Sequence, residues 1–578
     1  MKYFIFFCLT LFSATISFAQ QKTVFEKSGG NQTSTYFEAI DFYKELAKRN
    51  PEISMKENGM TDSGFPLHLV TVSKSKVFDY DQLHKEGKTV ILINNGIHPG
   101  EPDGIEASMM LARDLMSDSK KGQLLNDVIL VIIPVYNIGG SLNRNSYSRT
   151  NQNGPEEYGF RGNAQNLDLN RDFVKMDSKN AKTFAEIFHL VKPDILIDTH
   201  VSNGADYQYN ITHLATQPDK LGGELGQYLR NEMIPKLEEG MAQKKDEIIP
   251  YVNIFNKPPD KEGYTQFMDS PRYASGYTAL FNTIGFTIET HMLKPFSLRV
   301  PATYRFIQTI MEIGQEDGSK IKEMITNSRA ENIAGNETPI AWELDMTASR
   351  TLSFKGYEAE TKISEVTGFD RLYYNQEKPF EKEIPYYNSF KVSNTVIAPL
   401  AYIVPQGWSK AIDYLKINNV KLKQFEQDTI IQVEVYHIDK YETSTRPYEA
   451  HYPHNSTTVN KSTAEIKFRE GDYYVPVNQM AGKFLVNVLE PEAVDSYFNW
   501  NFFDTILQQK EYFSPYVFEE IAAEMLKSDP ELKDAFEERK KSDADFAKNW
   551  YAQLSYIYHQ SEHYEEAHLR YPVFRVMN

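Results

Sequence analysis

The sequence predicts an α/β fold, with a largely parallel sheet sandwiched by helices, followed by a mostly β module with a helical tail. Three observations carry this expectation. Four apolar runs in the first half lack the alternation of a half-exposed strand, and stretches with helical periodicity separate them. From about residue 335 onward the texture changes to short segments rich in Tyr and Phe.

The four runs are TVILINN (89–95), VILVIIPVYN (128–137), DILIDTH (194–200) and GFTIETH (285–291). Continuous apolar character is what strands of a parallel sheet need when both faces are covered. Ile105, Met109, Leu111 and Leu115 follow the first run at helical spacing, and Phe184, Ile187, Phe188 and Val191 precede the third. Together they define an α/β domain over residues 25–325. Each run also ends in polar residues: Asn94 and Asn95, Asn137, Asp198 to His200, and Glu289 to His291. In open α/β sheets ligands bind at this carboxyl edge. The topology alone therefore brings His98, Glu101, His200 and Glu289 close together.

Residues 340–578 form the second unit. DTIIQVEVYHI (428–438), STAEIKF (462–468) and GKFLVNVLE (482–490) read as strands, and the chain beyond Tyr516 returns to helical periodicity. At the other end, Lys2, an apolar run and Ser17-Phe18-Ala19 read as a signal peptide over residues 1–19, too short to span a bilayer comfortably. The mature protein is expected to be soluble and exported, to the periplasm or the medium, with no stable membrane insertion. Cys8 is the only cysteine, so disulfides and a cysteine nucleophile are excluded, and a metal must be held by His, Asp or Glu. The net charge of −17 argues against a nucleic-acid partner.

ILINNGIHPGEPDG (91–104) sets His98 three positions before Glu101. With 13 histidines in the chain, about one H-x-x-E pair is expected by chance, so the motif alone decides little. HQSEH (559–563) even matches the H-x-x-E-H pattern of another metallopeptidase group. Too little chain follows it for a distant third ligand, and its charge suits a solvated helix. The upstream pair has better company. A hydrolytic zinc site needs three protein ligands, an open position, a base and a cation for the oxyanion. The sheet edge offers His98, Glu101 and His200 as ligands and Glu289 as base. NLDLNRDF (166–173) adds Asp168, Asn170 and Arg171, and NRNSYSRTN (143–151) adds Arg144 and Arg149.

Over roughly residues 30–320 these blocks, in this order, resemble the M14 family of zinc carboxypeptidases. The segment 57–73 is similar to that family's early hairpin, which would make the sheet mixed. The resemblance implies one Zn²⁺ per chain on His98, Glu101 and His200, with Asp168 orienting the His98 ring. It makes Glu289 the base that takes the attacking water's proton and hands it to the leaving amine. Arg149, with Arg144 as a competitor, would stabilise the oxyanion. Asn170 and Arg171 would clamp the substrate's terminal carboxylate. The tyrosine that covers the substrate is Tyr264, Tyr273 or Tyr277, and spacing does not choose among them. YYVPVNQMAGKFLVNVLEPE (473–492) and NWNFFD (499–504) are similar to the C-terminal part of large secreted bacterial members.

The leading expectation is thus a secreted metallocarboxypeptidase acting on peptides. A cell-wall γ-D-glutamyl or D,L-peptidase or amidase of the same fold, acting on muropeptides, is the alternative. A peptide-binding protein that has lost catalysis is a third reading, opposed by the intact ligand set.

Overall fold

The structure, a computed structural model, describes residues 21–577, so the expected signal segment 1–19 lies outside the described residues. Its centre is a seven-stranded sheet of β1 (Ile53–Met60), β2 (Pro66–Val72), β3 (Thr89–Asn94), β4 (Val128–Ile133), β5 (Ile195–Ser202), β6 (Ile211–Ala215) and β7 (Ile284–His291). The spatial order is β1-β2-β4-β3-β5-β7-β6. The four predicted runs form its parallel middle, β4-β3-β5-β7. The β1–β2 hairpin and β6 add antiparallel edges, so the sheet is mixed. Every residue of β3 and β4 is buried, which explains their unbroken apolar sequence. The second run is shorter than expected. It leaves the sheet after Ile133, because Pro134 cannot donate to the ladder.

Both predicted helical stretches form helices, Asp103–Ser117 and Lys179–Val191. The second is capped by the Ser178 side chain and reaches the sheet edge, where Thr183 Oγ1 donates to the Met60 carbonyl at 3.0 Å. A 35-residue helix, Phe296–Ala330, lies along the middle of the sheet, with Thr89 Oγ1 donating to its Gly314 carbonyl at 2.9 Å.

The C-terminal region is rich in strands, some of them short, such as Ala401–Val404 and Tyr473–Pro476, and others long. Arg350–Ile363 pairs with Asp370–Tyr387, of 18 residues, and Thr429–Thr443 pairs with His454–Phe468 within a six-stranded sheet. Towards the connection between Ile363 and Asp370 the first of these hairpins becomes exposed. The stretch 482–490, expected as a strand, is instead the helix Gly482–Leu489. Periodicity does not readily separate a short buried strand from a short, largely buried helix. Only Lys483 and Asn487, four positions apart, give this helix a polar side, and the rest lies in the interior, where Phe484 stacks on Phe281 with ring centroids 5.2 Å apart. One continuous buried cluster joins the two halves of the chain, from Ile91 and Phe281 to Tyr402, Phe484 and Trp500.

Candidate active site

β3 ends at Asn94, and the turn that follows carries His98 and Glu101 into the helix Asp103–Ser117. Gly100 in that turn has a steric reason: a Cβ there would meet Arg149 Cδ at 2.6 Å and the Gly159 carbonyl at 3.0 Å. His200 lies on the neighbouring strand β5, and Glu289 stands opposite it in register on β7. His98, Glu101 and His200 are all buried and are the one group of metal-ligand geometry among the described residues, with one donor atom from each lying within 4.8 Å of the others.

The hydrogen bonds of the two imidazoles define how they face. His98 Nε2 lies 2.8 Å from Asp168 Oδ1 and His200 Nε2 lies 2.9 Å from Asp198 Oδ2. Both Nδ1 atoms turn to Glu101 Oε2, at 3.4 and 3.1 Å. When each outer nitrogen donates its proton to a carboxylate, both Nδ1 lone pairs point at one centre, beside a third donor from Glu101. Two neutral imidazoles and one carboxylate suit Zn²⁺, so the residues present fit that metal. Burial alone would raise the Glu101 carboxyl, but Arg149 and His98 outweigh it and hold the group well below the usual carboxylate range. Burial alone would likewise lower His200, yet Asp198 and Glu101 carry it well above its ordinary value. Electrostatically this is a place for a cation.

In front of the donors lies a cleft of about 430 Å³, lined by Arg161, Asn170, Arg171, Tyr273 and Glu289 among others. Burial raises the Glu289 carboxyl to about 7, Glu101 adds to the rise, and His200, Arg161 and Arg149 oppose it. Asn170 Oδ1 accepts from the Ala274 N–H at 3.3 Å. Of the three candidate tyrosines only Tyr273 faces the cleft, with the Arg171 guanidinium 4.5 Å from its ring centroid. Tyr277 is fully buried against Asn418, and Tyr264 packs in a satellite cluster and donates to the Pro250 carbonyl. Arg144 is held by the Thr33 and Ser34 carbonyls and by Glu157. Arg149 ion-pairs with Glu101 Oε1 at 2.9 Å and donates to Gln152.

Three contributors escaped the sequence reading. Asp198 sits two residues before His200 on one strand, hence on the same face, and that spacing was a usable signal. Arg161 reaches Asp168 Oδ2 at 2.9 Å and Glu101 Oε1 at 3.5 Å, so a second arginine stands beside Arg149 at the ligand cluster. The third is the pair Tyr448 and Glu449, from the second half of the chain, whose contacts are described below. HQSEH, by contrast, is neither a metal cluster nor a helix. The helix Trp550–Tyr558 ends with His559 as its C-cap, and turns follow.

The donor set, the carboxylate opposite it and the cleft are the arrangement of a metallopeptidase, and over part of its length the chain is similar to known zinc carboxypeptidases. The zinc carboxypeptidase family model matches residues 39–190. The chain is 21% identical to Carboxypeptidase 2 of Trichophyton equinum over 500 residues, covering 81% of this chain and 84% of the relative, and matches Carboxypeptidase 2 of Trichophyton rubrum to the same extent. Among solved structures it is similar to a metallo-carboxypeptidase from Burkholderia cenocepacia, at 18% identity and a TM-score of 0.38, covering 48% of this chain and 69% of that one. Among the described residues no helix is long and apolar enough to cross a membrane.

Proposed function

We propose that this protein is an exported, zinc-dependent carboxypeptidase that removes C-terminal residues from peptides, with residues 25–325 carrying the chemistry. The observation that carries the reading is the His98–Glu101–His200 donor set at the floor of a cleft whose wall holds Glu289 on one strand and Arg171 on a loop. A Zn²⁺ ion held by those three residues would supply Lewis acidity at an open coordination position. Glu289, raised towards neutrality, is suited to accept a proton from the attacking water and return it to the leaving amine. The arginines beside Glu101 are suited to the negative charge that develops on the carbonyl oxygen: Arg149, as the family pattern implies, or Arg161, which lines the cleft. Arg171, stacked on Tyr273, offers a planar guanidinium to a terminal carboxylate.

The test is mass spectrometry of a mixed peptide pool treated with the zinc-loaded protein. Successive loss of single C-terminal residues supports the reading. Cleavage of muropeptides alone, internal cuts, or no product at all would overturn it.

A further inference from the structure

The hairpin of Thr429–Thr443 and His454–Phe468 does not end in solvent. Its connection returns to the catalytic cleft and closes in a two-residue turn, with Tyr448 and His451 exchanging backbone hydrogen bonds. The central residues are Glu449 and Ala450, both left-handed, with φ of +49° and +66°. Such turns ordinarily take Asn-Gly, because L side chains avoid this region. A strained turn persists only where its surroundings fix it; here Tyr448 and His451 pack on the Trp500 ring, Arg272 lies over Tyr448, and side-chain hydrogen bonds reach the segment of the catalytic half that carries Asp168 and Arg171.

Glu449 Oε2 accepts the Asp168 N–H at 2.8 Å, across 281 positions of sequence. Tyr448 Oη accepts from Arg171 Nε at 3.0 Å. His451 Nε2 lies 2.8 Å from Asp177 Oδ2 and anchors the turn's far side. The Asn170 carbonyl accepts from Arg171 Nη1 at 2.8 Å. With Nε taken by Tyr448 and one Nη1 proton by Asn170, the guanidinium presents its Nη1–Nη2 end to the cleft it lines.

We propose that this turn is a working part of the substrate site. Tyr448 aims the Arg171 guanidinium, and Glu449 holds the Asp168 backbone so that its carboxylate stays on His98. Both are positioning residues, and through them the C-terminal region sets the cleft's affinity for a peptide's free carboxylate. The inference rests on the carboxypeptidase reading, and the experiment separates the two.

Full-length Tyr448→Phe, Glu449→Ala, Glu449→Gln and Arg171→Ala proteins are compared for kcat and KM on a free-acid peptide and its C-terminal amide, with melting temperature and zinc retention against a chelator as controls. Freeing one long side chain from its fixed rotamer should raise KM for the free acid by about three- to tenfold in Tyr448→Phe, with kcat within about twofold and the amide unaffected. Glu449→Ala should lose zinc faster than wild type, and Glu449→Gln, whose amide oxygen still accepts the Asp168 N–H, should recover wild-type behaviour. If Tyr448→Phe and Glu449→Ala keep wild-type constants and zinc retention while Arg171→Ala collapses free-acid cleavage, the turn is only an anchor between the two halves and the proposal falls. If Arg171→Ala itself changes nothing, the carboxypeptidase reading falls and this one with it.

Discussion

Replacing Asp198 with Asn tests the metal centre through a residue that does not itself touch the metal. Asp198 is fully buried and lies between two donors, His200 Nε2 at 2.9 Å and Asn94 Nδ2 at 3.0 Å. Asparagine keeps the shape and removes the charge. It can meet Asn94 without a clash, since the Asn94 Oδ1 atom has no hydrogen-bond partner and a flip of that amide turns it towards the new NH₂ group. The fold should therefore be retained. What changes is the imidazole, because a charged acceptor makes a hydrogen bond roughly twice as strong as a neutral one and raises the basicity of the nitrogen facing Glu101. Loss of such a partner weakens metal binding by roughly 10- to 100-fold, or about 1.4–2.8 kcal/mol at ~1.4 kcal/mol per decade. The assay is titration of metal-free protein with zinc in competition with a chromophoric chelator, alongside His200→Ala as the reference for a lost ligand. Zinc affinity in Asp198→Asn within about twofold of wild type, with an unchanged melting curve, would show that His200 does not bind metal through Nδ1.

Glu289→Gln should keep zinc and fold while lowering kcat by about a thousandfold or more, since an amide cannot accept the water's proton. Burial first, then Glu101, raises Glu289 to about 7, and a nearby cation favours its ionised form. Because the base works ionised, kcat/KM should rise with pH through an acid limb at or below neutrality, and a limb well above it would assign the role to another group. Arg171→Ala should lower kcat/KM on free-acid peptides by roughly 2–5 kcal/mol, the range for leaving one partner of a close charge pair unmatched, and should cost amidated peptides much less. Equal cleavage of acid and amide by the wild-type protein would refute the clamp. Changing His559 and His563 together to Ala should alter neither zinc content nor rate, because they lie at and beyond a helix end; loss of metal would relocate the site.

What the sequence disclosed follows the range of the interactions. β3, β4, β5 and β7 are buried on both faces, so their apolar runs were visible, and the polar residues at their carboxyl ends marked the ligand edge. His200 and Glu289 come together through strand register alone, and register follows from which runs pair. Tyr273 could not be told from Tyr264 and Tyr277, because that choice depends on which ring the Arg171 guanidinium covers and which rings the core absorbs. The helix Gly482–Leu489 was misread because it is short and packed by both halves of the chain, so that Lys483 and Asn487 alone mark its helical period.

Tyr448 and Glu449 mark the limit of such reading. TRPYEAHYP carries no ligand spacing and no turn signal of the Asn-Gly kind, and nothing local predicts two left-handed residues at Glu449 and Ala450. Their conformation is held in part by the Asp168 N–H and the Arg171 guanidinium, which the sequence places nearly half the chain away. A local rule broken at one turn whose contacts include the Asp168 N–H and the Arg171 guanidinium, as well as the ring of Trp500, is the pattern expected where function outranks local stability. A sequence-compatible Glu449-Ala450→Asn-Gly replacement should accordingly relax the turn and raise the melting temperature slightly. It should also weaken zinc retention, since the shorter Asn side chain cannot reach the Asp168 N–H. A variant that is both more stable and unimpaired in zinc retention would show that the strain serves no purpose at the site.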